Sequence, residues 1–347
     1  MRVAIVTVQV PFVRGGAEML AEGLQAAIQA AGHEADIVSI PFKWYPPAVL
    51  PEQVLACRLT DLTESLGRPI DRMIGVKFPA YLVPHPSKVL WLLHQHRSAY
   101  DLWDQRYGDL FPVPDGEAGM RFVRDTDTRL IPEAREVFTI SRNVTQRLKH
   151  FCGIDSRPLY HPPPHADRYR SGEPGDYLLM PSRVNEIKRQ GLVVEALFHT
   201  RHPVRVWFTG SPDSPGYHEV VQARSRALAP GRVAWLGQVS DERKLELFAH
   251  ALGVVVPPFD EDYGYVTLEA MLSGRPVITC TDSGGPIEFI EHGRNGLVCA
   301  PDPEAIAEAM DALWEDRAFA SRLGREGRAH YTDLNITWEH AVECLLA

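Results

Sequence analysis

Cysteine is scarce in this 347-residue sequence: there are five, and no two stand in a CxxC spacing. Cys57, Cys152, Cys280, Cys299 and Cys344 are dispersed and odd in number, which argues against a disulfide framework and suggests reduced thiols in a cytoplasmic protein. No apolar run approaches the roughly 20 residues needed to span a bilayer. The opening MRVAIVTVQVPFVRGGAE has a short apolar stretch without a small-residue cleavage site, so it reads as a strand and not as a signal peptide. Basic charge is also in deficit, with 36 Lys+Arg against 45 Asp+Glu, net -9. Taken as a total, that disfavours nucleic acid and anionic membranes as partners. The distribution refines the total: residues 1–160 carry 18 basic and 18 acidic side chains, residues 161–347 carry 18 and 27. A charge step near the middle supports two domains with different tasks.

What is present fits that division. The length suits two domains of about 150–200 residues each, large enough to bury cores without disulfides or structural metals. In the first half, Val3–Val8, Ala35–Ile40, Arg72–Val76, Val89–Leu93 and Glu136–Ile140 read as strands, with helices over about 17–30 and 143–151. Arg97–Phe111, with Tyr100, Trp103 and Tyr107, fits no core strand and reads as an excursion over a cleft. The proline run at 162–164 breaks the pattern, and a linker is expected over about 162–174. Beyond it, strands at 177–181, 204–209, 232–236, 253–256, 277–279 and 297–299 alternate with helices at about 186–199, 216–228, 241–250, 264–273, 303–314 and 317–330. Such alternation implies a parallel sheet covered on both faces. The expected fold is α/β, two Rossmann-like doubly wound domains over 1–165 and 166–333 facing a cleft. A last helix over 334–347 is expected to return toward the first domain.

The most informative stretch is Pro257-Pro-Phe-Asp-Glu-Asp-Tyr-Gly-Tyr-Val-Thr-Leu-Glu-Ala-Met-Leu-Ser-Gly-Arg-Pro-Val277. Glu261 and Glu269 lie eight apart, about 80° around a helix if both were helical, so spacing alone does not make them a pair. The strand ending at the prolines puts Glu261 in a loop and Glu269 in the second turn of the next helix. Free amides at that helix start suit a phosphate. The plainer alternative is a Glu261 that offsets the helix dipole and a solvated Glu269. Asp260-Glu-Asp262 also reads as a D-x-D. His94-Gln-His96 follows a strand, and an H-x-H within a strand would turn both rings to one side.

This stretch resembles the E-x7-E signature of retaining family 4 glycosyltransferases of GT-B fold, the bacterial glycosyl transferases group 1 type. Glu261-Asp-Tyr-Gly264 followed by Glu269-Ala-Met-Leu-Ser-Gly-Arg-Pro-Val277 matches it, with Tyr263 in place of the usual Phe. Ser283-Gly-Gly-Pro-Ile-Glu288 and Gly293-Arg-Asn-Gly-Leu-Val298 are similar to the family as well. So is Pro181-Ser-Arg-Val-Asn-Glu-Ile-Lys188, with Ser182 in place of a Gly. Arg14-Gly-Gly-Ala-Glu18 resembles the family's glycine-rich first loop, and His94 its strand-end histidine, with His96 as competitor.

The resemblance implies a retaining hexosyltransferase that moves a sugar from a nucleotide-diphosphate sugar, UDP- or GDP-linked, to a hydroxyl. His94, Arg183, Lys188 and Glu261 are the implied catalytic residues. Gly15, Gly16, Gly264, Tyr265, Val266 and Glu269 join Arg183 and Lys188 as donor contacts. Arg14, His96, Tyr100 and Trp103 are candidates for the acceptor. No cofactor and no metal are expected, and no nucleic acid. Acceptors in polysaccharide or glycoconjugate assembly come first, saccharide or lipid-linked. A GT-B nucleotide-sugar epimerase and a natural-product glycosyltransferase remain as alternatives. Residues 121–149 hold seven basic and four acidic side chains, a bias compatible with peripheral attachment at the inner face of a membrane.

Overall fold

The computed structural model describes residues 1–12 and 14–347. They form two compact units, Met1–Pro164 with Thr337–Ala347, and His165–Ile336. In the first unit the order is β1 (Arg2–Gln9), α1 (Gly16–Ala30), β2 (Glu34–Pro41), α2 (Leu50–Leu59), a small hairpin β3 (Glu64–Ser65) and β4 (Arg68–Pro69), β5 (Arg72–Gly75), β6 (Lys88–Leu92), α3 (Gly116–Leu130), β7 (Glu136–Thr139), α4 (Arg142–Cys152) and β8 (Arg157–Pro158). The sheet runs β2-β1-β5-β6-β7-β8, parallel throughout. Val3–Val6 of β1 and all of β6 are buried on both faces, as expected of strands sandwiched by helices.

The second unit contains β9 (Leu178–Pro181), α5 (Gln190–His199), β10 (Val206–Thr209), α6 (Pro215–Leu228), β11 (Val233–Trp235), α7 (Asp241–His250), β12 (Gly253–Val255), α8 (Tyr265–Leu272), β13 (Val277–Cys280), β14 (Gly296–Cys299), α9 (Pro303–Glu315) and α10 (Arg317–Asp333). Its parallel sheet has the order β11-β10-β9-β12-β13-β14. The chain winds outward from β9 to one edge, then crosses to β12 and winds to the other. Loops leaving neighbouring strands part at that reversal and open a crevice at their carboxyl ends, where open α/β sheets bind ligands. Here the crevice lies between β9 and β12.

One expected helix is interrupted. The run 186–199 is a short 3-10 turn, Glu186–Lys188, followed by α5, because Arg189 takes a left-handed conformation at φ 59°. A non-glycine residue there is strained. The Arg189 guanidinium offsets this by a two-pronged bond to Asp282, at 2.8 and 2.6 Å.

The final helix, α11 (Trp338–Leu346), starts after Thr337, whose hydroxyl caps it, and packs on α1 of the first unit. Gly23 makes the contact possible: a Cβ there would lie 2.4 Å from the Trp338 ring. The same indole meets Trp91 edge-on at 6.2 Å. Arg72 donates to the carbonyls of Leu345, Leu346 and Ala347 at 3.2, 3.2 and 2.9 Å, placing a cation at the negative end of the helix. Trp338→Ala is therefore expected to destabilise the first unit by about 2–4 kcal/mol, below the roughly 3–5 kcal/mol of a fully buried aromatic because Trp338 is only partly buried. Urea unfolding followed by circular dichroism checks this.

Candidate active site

The crevice between β9 and β12 is built from short loops whose backbones are bonded to one another. After β9, Asn185 Oδ1 accepts from the Lys188 amide at 3.0 Å. Gln190 Nε2 reaches back to Ser182 Oγ and the Arg183 carbonyl, both at 2.9 Å. The loop after β10 comes so close that a Cβ on Gly210 would lie 2.2 Å from the Ser182 carbonyl. Gly210 sits at φ +122°, open only to glycine. This geometry aims Arg183 at Asp213, Nη1 to Oδ1 at 3.1 Å, while Asn185 donates to the other oxygen of Asp213 at 2.7 Å.

The loop after β12 is fixed on both sides. The Phe259 amide donates to the Ile187 carbonyl at 2.8 Å, and the Asp260 and Glu261 amides donate to the carbonyls of Asp282 and Ser283, both at 2.9 Å. The Glu261 carbonyl accepts from Gly285 at 2.7 Å. Gly285 must be glycine, since a Cβ would stand 2.5 Å from the Tyr263 carbonyl. Gly264 opens α8 at φ 90°. Within this frame the Lys188 ammonium forms an ion pair with Glu261 across the reversal point, both side chains mostly shielded. Asp260-Glu-Asp262 is thus part of a strand-like bridge to Gly284, with its middle carboxylate committed to Lys188.

Glu269 is not solvated. Its side chain is 2% exposed, and Oε1 accepts from Lys244 Nζ on α7 at 2.5 Å. Burial, and then the Glu269 charge, push the phenols of Tyr169 and Tyr265 above their ordinary range. Tyr265, the first residue of α8, stands one turn before Glu269 on the same helix. Lys244, Arg189 and Asp282 escaped the sequence reading. Helical periodicity shows Lys244 as one of several charges on α7, and only the fold carries it to a glutamate 25 residues away.

Four cation–carboxylate pairs therefore line this end of the sheet: Arg183–Asp213, Lys188–Glu261, Arg189–Asp282 and Lys244–Glu269. Arg183 is the most open of the cations at 58% exposure, with Lys188 at 20%.

In the first unit the expected residues are more dispersed. Gly15 donates its amide to Glu18 Oε2 at 2.7 Å, so that amide is already bonded to an anion. Arg14 pairs with Glu22 at 2.7 Å on the surface. His94 and His96 lie after β6, in irregular backbone and not in the strand, so the expected common face does not form. His94 Nδ1 meets the Gln95 carbonyl at 2.5 Å. The His96 ring stacks on Phe78 at 5.6 Å and meets Phe42 edge-on, and burial pulls it down to about 4. It is a packed neutral ring. Ser141 caps α4 by accepting from the Val144 amide at 3.1 Å.

The acceptor role expected of Tyr100 does not survive. Its side chain is 2% exposed and belongs to the core, with its hydroxyl donating to Asp127 at 2.8 Å. Trp103 packs against the same core and meets Phe111 edge-on at 5.2 Å. The aromatic segment reads as surface because it is rich in charge, but its charges pair locally: Arg97 holds Asp101 at 2.6 and 2.8 Å.

Asp127 is fully buried and accepts from Tyr81, Tyr100 and Gln95. Burial pushes its carboxyl up to about 7, against the three hydrogen bonds that pull it down. The folded state thus holds a proton that the unfolded chain releases near the ordinary Asp value of about 3.9. Stability from this group is greatest at low pH and falls as pH rises toward 7, by up to about 1.4 kcal/mol per unit. Asp127→Asn is expected to flatten the stability profile between pH 5 and 7 relative to wild type. Urea midpoints measured across that range check it.

A family model described as "Glycosyl transferases group 1" matches residues 175–316. The chain is 28% identical over 258 residues to D-inositol 3-phosphate glycosyltransferase of Nocardia farcinica, covering 67% of this chain and 56% of that protein. It therefore spans about half the length of this relative. Among solved structures, sucrose-phosphate synthase from Thermosynechococcus elongatus superposes with a TM-score of 0.78 at 18% identity, over 99% of this chain and 97% of that one. HepE of Anabaena, in complex with UDP-glucose, gives 0.74 at 16% identity, over 100% and 99%. At these identities the likeness shows the fold, which is GT-B. Among the described residues no helix is long and apolar enough to cross a membrane.

Proposed function

The chain carries a glycosyl transferases group 1 domain over residues 175–316, and from that premise we propose that it is a retaining, metal-independent glycosyltransferase. Its donor is a nucleotide-diphosphate sugar, and its acceptor a hydroxyl of a saccharide, a lipid-linked saccharide or a small molecule, in cell-surface polysaccharide or glycoconjugate synthesis. The observation that carries the reading is the Lys188–Glu261 pair at the sheet's reversal point, with a buried Glu269 in the second turn of α8. A cation, an orienting carboxylate and a shielded carboxylate there suit a diphosphate, a sugar hydroxyl and a ribose. The UDP-glucose complex of HepE supports testing UDP-sugars first.

In this reading Lys188 and Arg183 stabilise the negative charge that grows on the departing diphosphate, a term that strengthens in the transition state. Glu261 orients the donor sugar. Glu269 accepts from the ribose. The acceptor hydroxyl attacks the anomeric carbon on the face the diphosphate leaves. The anomeric C–O bond to phosphate breaks, the new C–O bond forms, and the acceptor's proton passes to the released phosphate oxygen. Configuration is kept without a covalent intermediate on the protein.

From an α-linked donor an α-linked product is expected, read by the anomeric proton coupling in NMR. A β-linked product overturns the retaining assignment. Full activity is expected in excess EDTA, since Lys188 and Arg183 supply the positive charge. Loss of activity in EDTA, restored by a divalent cation, contradicts that part.

A further inference from the structure

We propose that Lys244 completes the ribose subsite, holding Glu269 through one carboxylate oxygen so that the other is left to accept from a ribose hydroxyl. The inference rests on the nucleotide-sugar reading above and extends it to a residue outside the E-x7-E pattern.

A carboxylate offers about four lone-pair sites on two oxygens. Lys244 Nζ takes Oε1 of Glu269 at 2.5 Å. Oε2 is buried and has no hydrogen-bonding partner. Buried acceptors are nearly always satisfied, so an orphan oxygen on a side chain 2% exposed calls for a donor from outside the protein. Lys244, at 33% exposure, is the cation paired with this carboxylate. The neighbouring Arg243 is engaged with Glu246 at 2.8 Å, and the Lys244 ammonium lies 5.9 Å from the Phe248 ring, one turn along α7. Tyr169 and Tyr265, the phenols beside Glu269, stay protonated; Tyr169 is a neutral hydrogen-bonding neighbour of the carboxylate, and Lys244 is the cation paired with it.

Deleting the cation removes what fixes and compensates this carboxylate. The loss then falls on ligands that use it, meaning those with ribose hydroxyls. A merely structural lysine would weaken every nucleotide alike.

The test is calorimetric binding of UDP, GDP and ADP, each beside its 2′,3′-dideoxy form. Wild type is expected to prefer the ribo form of whichever nucleotide it binds. Lys244→Met should weaken the ribo form about tenfold, the scale of one charge-assisted hydrogen bond, while moving the dideoxy form less than about twofold. Lys244→Arg should keep the preference. The double variant Lys244→Met with Glu269→Gln carries no uncompensated buried charge, so it is expected to fold and to show no preference. Equal losses for both forms in Lys244→Met, or a wild-type preference in the double variant, overturn the inference while leaving the nucleotide-sugar reading intact. Failure of wild type to bind any of the three nucleotides overturns both.

Discussion

Lys188→Ala is expected to lower the turnover of sugar transfer about 100- to 1,000-fold, the range for removing one preorganised donor to a developing negative charge. The effect belongs in kcat. Lys188 is already neutralised by Glu261 in the free protein, so ground-state attraction for the diphosphate is partly cancelled. The ammonium has most to gain when the bond to the sugar breaks and charge concentrates on the leaving oxygen. Removing it also takes away the cation that Glu261 pairs with at this point. Lys188→Arg should recover only part of the rate. The Asn185 cap and the Gln190 contacts hold this loop for a single ammonium, and a guanidinium has a different reach and shape. Steady-state kinetics at saturating donor checks both variants, and a Lys188→Ala enzyme within about threefold of wild type would remove Lys188 from the leaving-group role.

Glu269→Ala is expected to weaken nucleotide affinity about 10- to 100-fold, since hydrogen bonds to a charged group in a shielded site are worth about 1.5–3 kcal/mol. Stability should fall much less. The partner left behind, Lys244, is one-third exposed and can turn to water, whereas the lost carboxylate was itself buried. The two readouts therefore separate. A large change in calorimetric affinity with a small shift in urea midpoint supports a binding role, and the reverse pattern points to a carboxylate kept for packing.

The double pattern of strands and helices was legible because buried parallel strands are short β-branched runs, and eleven of the twelve strands in the two large sheets stand out that way. β8, only Arg157–Pro158, and the hairpin Glu64–Pro69 have too few residues to carry a period. α3 was missed because its outer face is so rich in charge that the apolar stripe through Gly119 and Val123 is thin. In the site, Glu261 and Glu269 were legible from their motif, and so were Arg183 and Lys188. Their partners were not. Arg189 finds Asp282 and Lys244 finds Glu269 only because parallel strands bring distant loops to one sheet edge. Tyr100 misled for the opposite reason: a phenol in a charged segment looks exposed until a buried acceptor, Asp127, is known to wait for it.

The net charge takes on a different meaning in this light. The acidic excess lies in residues 161–347, the same half that holds the four cation–carboxylate pairs. Asp213, Glu261, Asp282 and Glu269 each hold a cation at the carboxyl edge of the sheet. Part of the acidity thus positions the positive charges and does not oppose an anionic ligand as the total alone suggests.

Thermal melting of the full chain with UDP-, GDP-, ADP- and TDP-sugars tests the central claim most directly, because a ligand that binds only the folded state raises the midpoint in proportion to its occupancy. A concentration-dependent rise is expected with at least one of these donors, and a markedly smaller rise with the same donor in Glu269→Ala. No rise with any of the four, or an equal rise in wild type and Glu269→Ala, would contradict it.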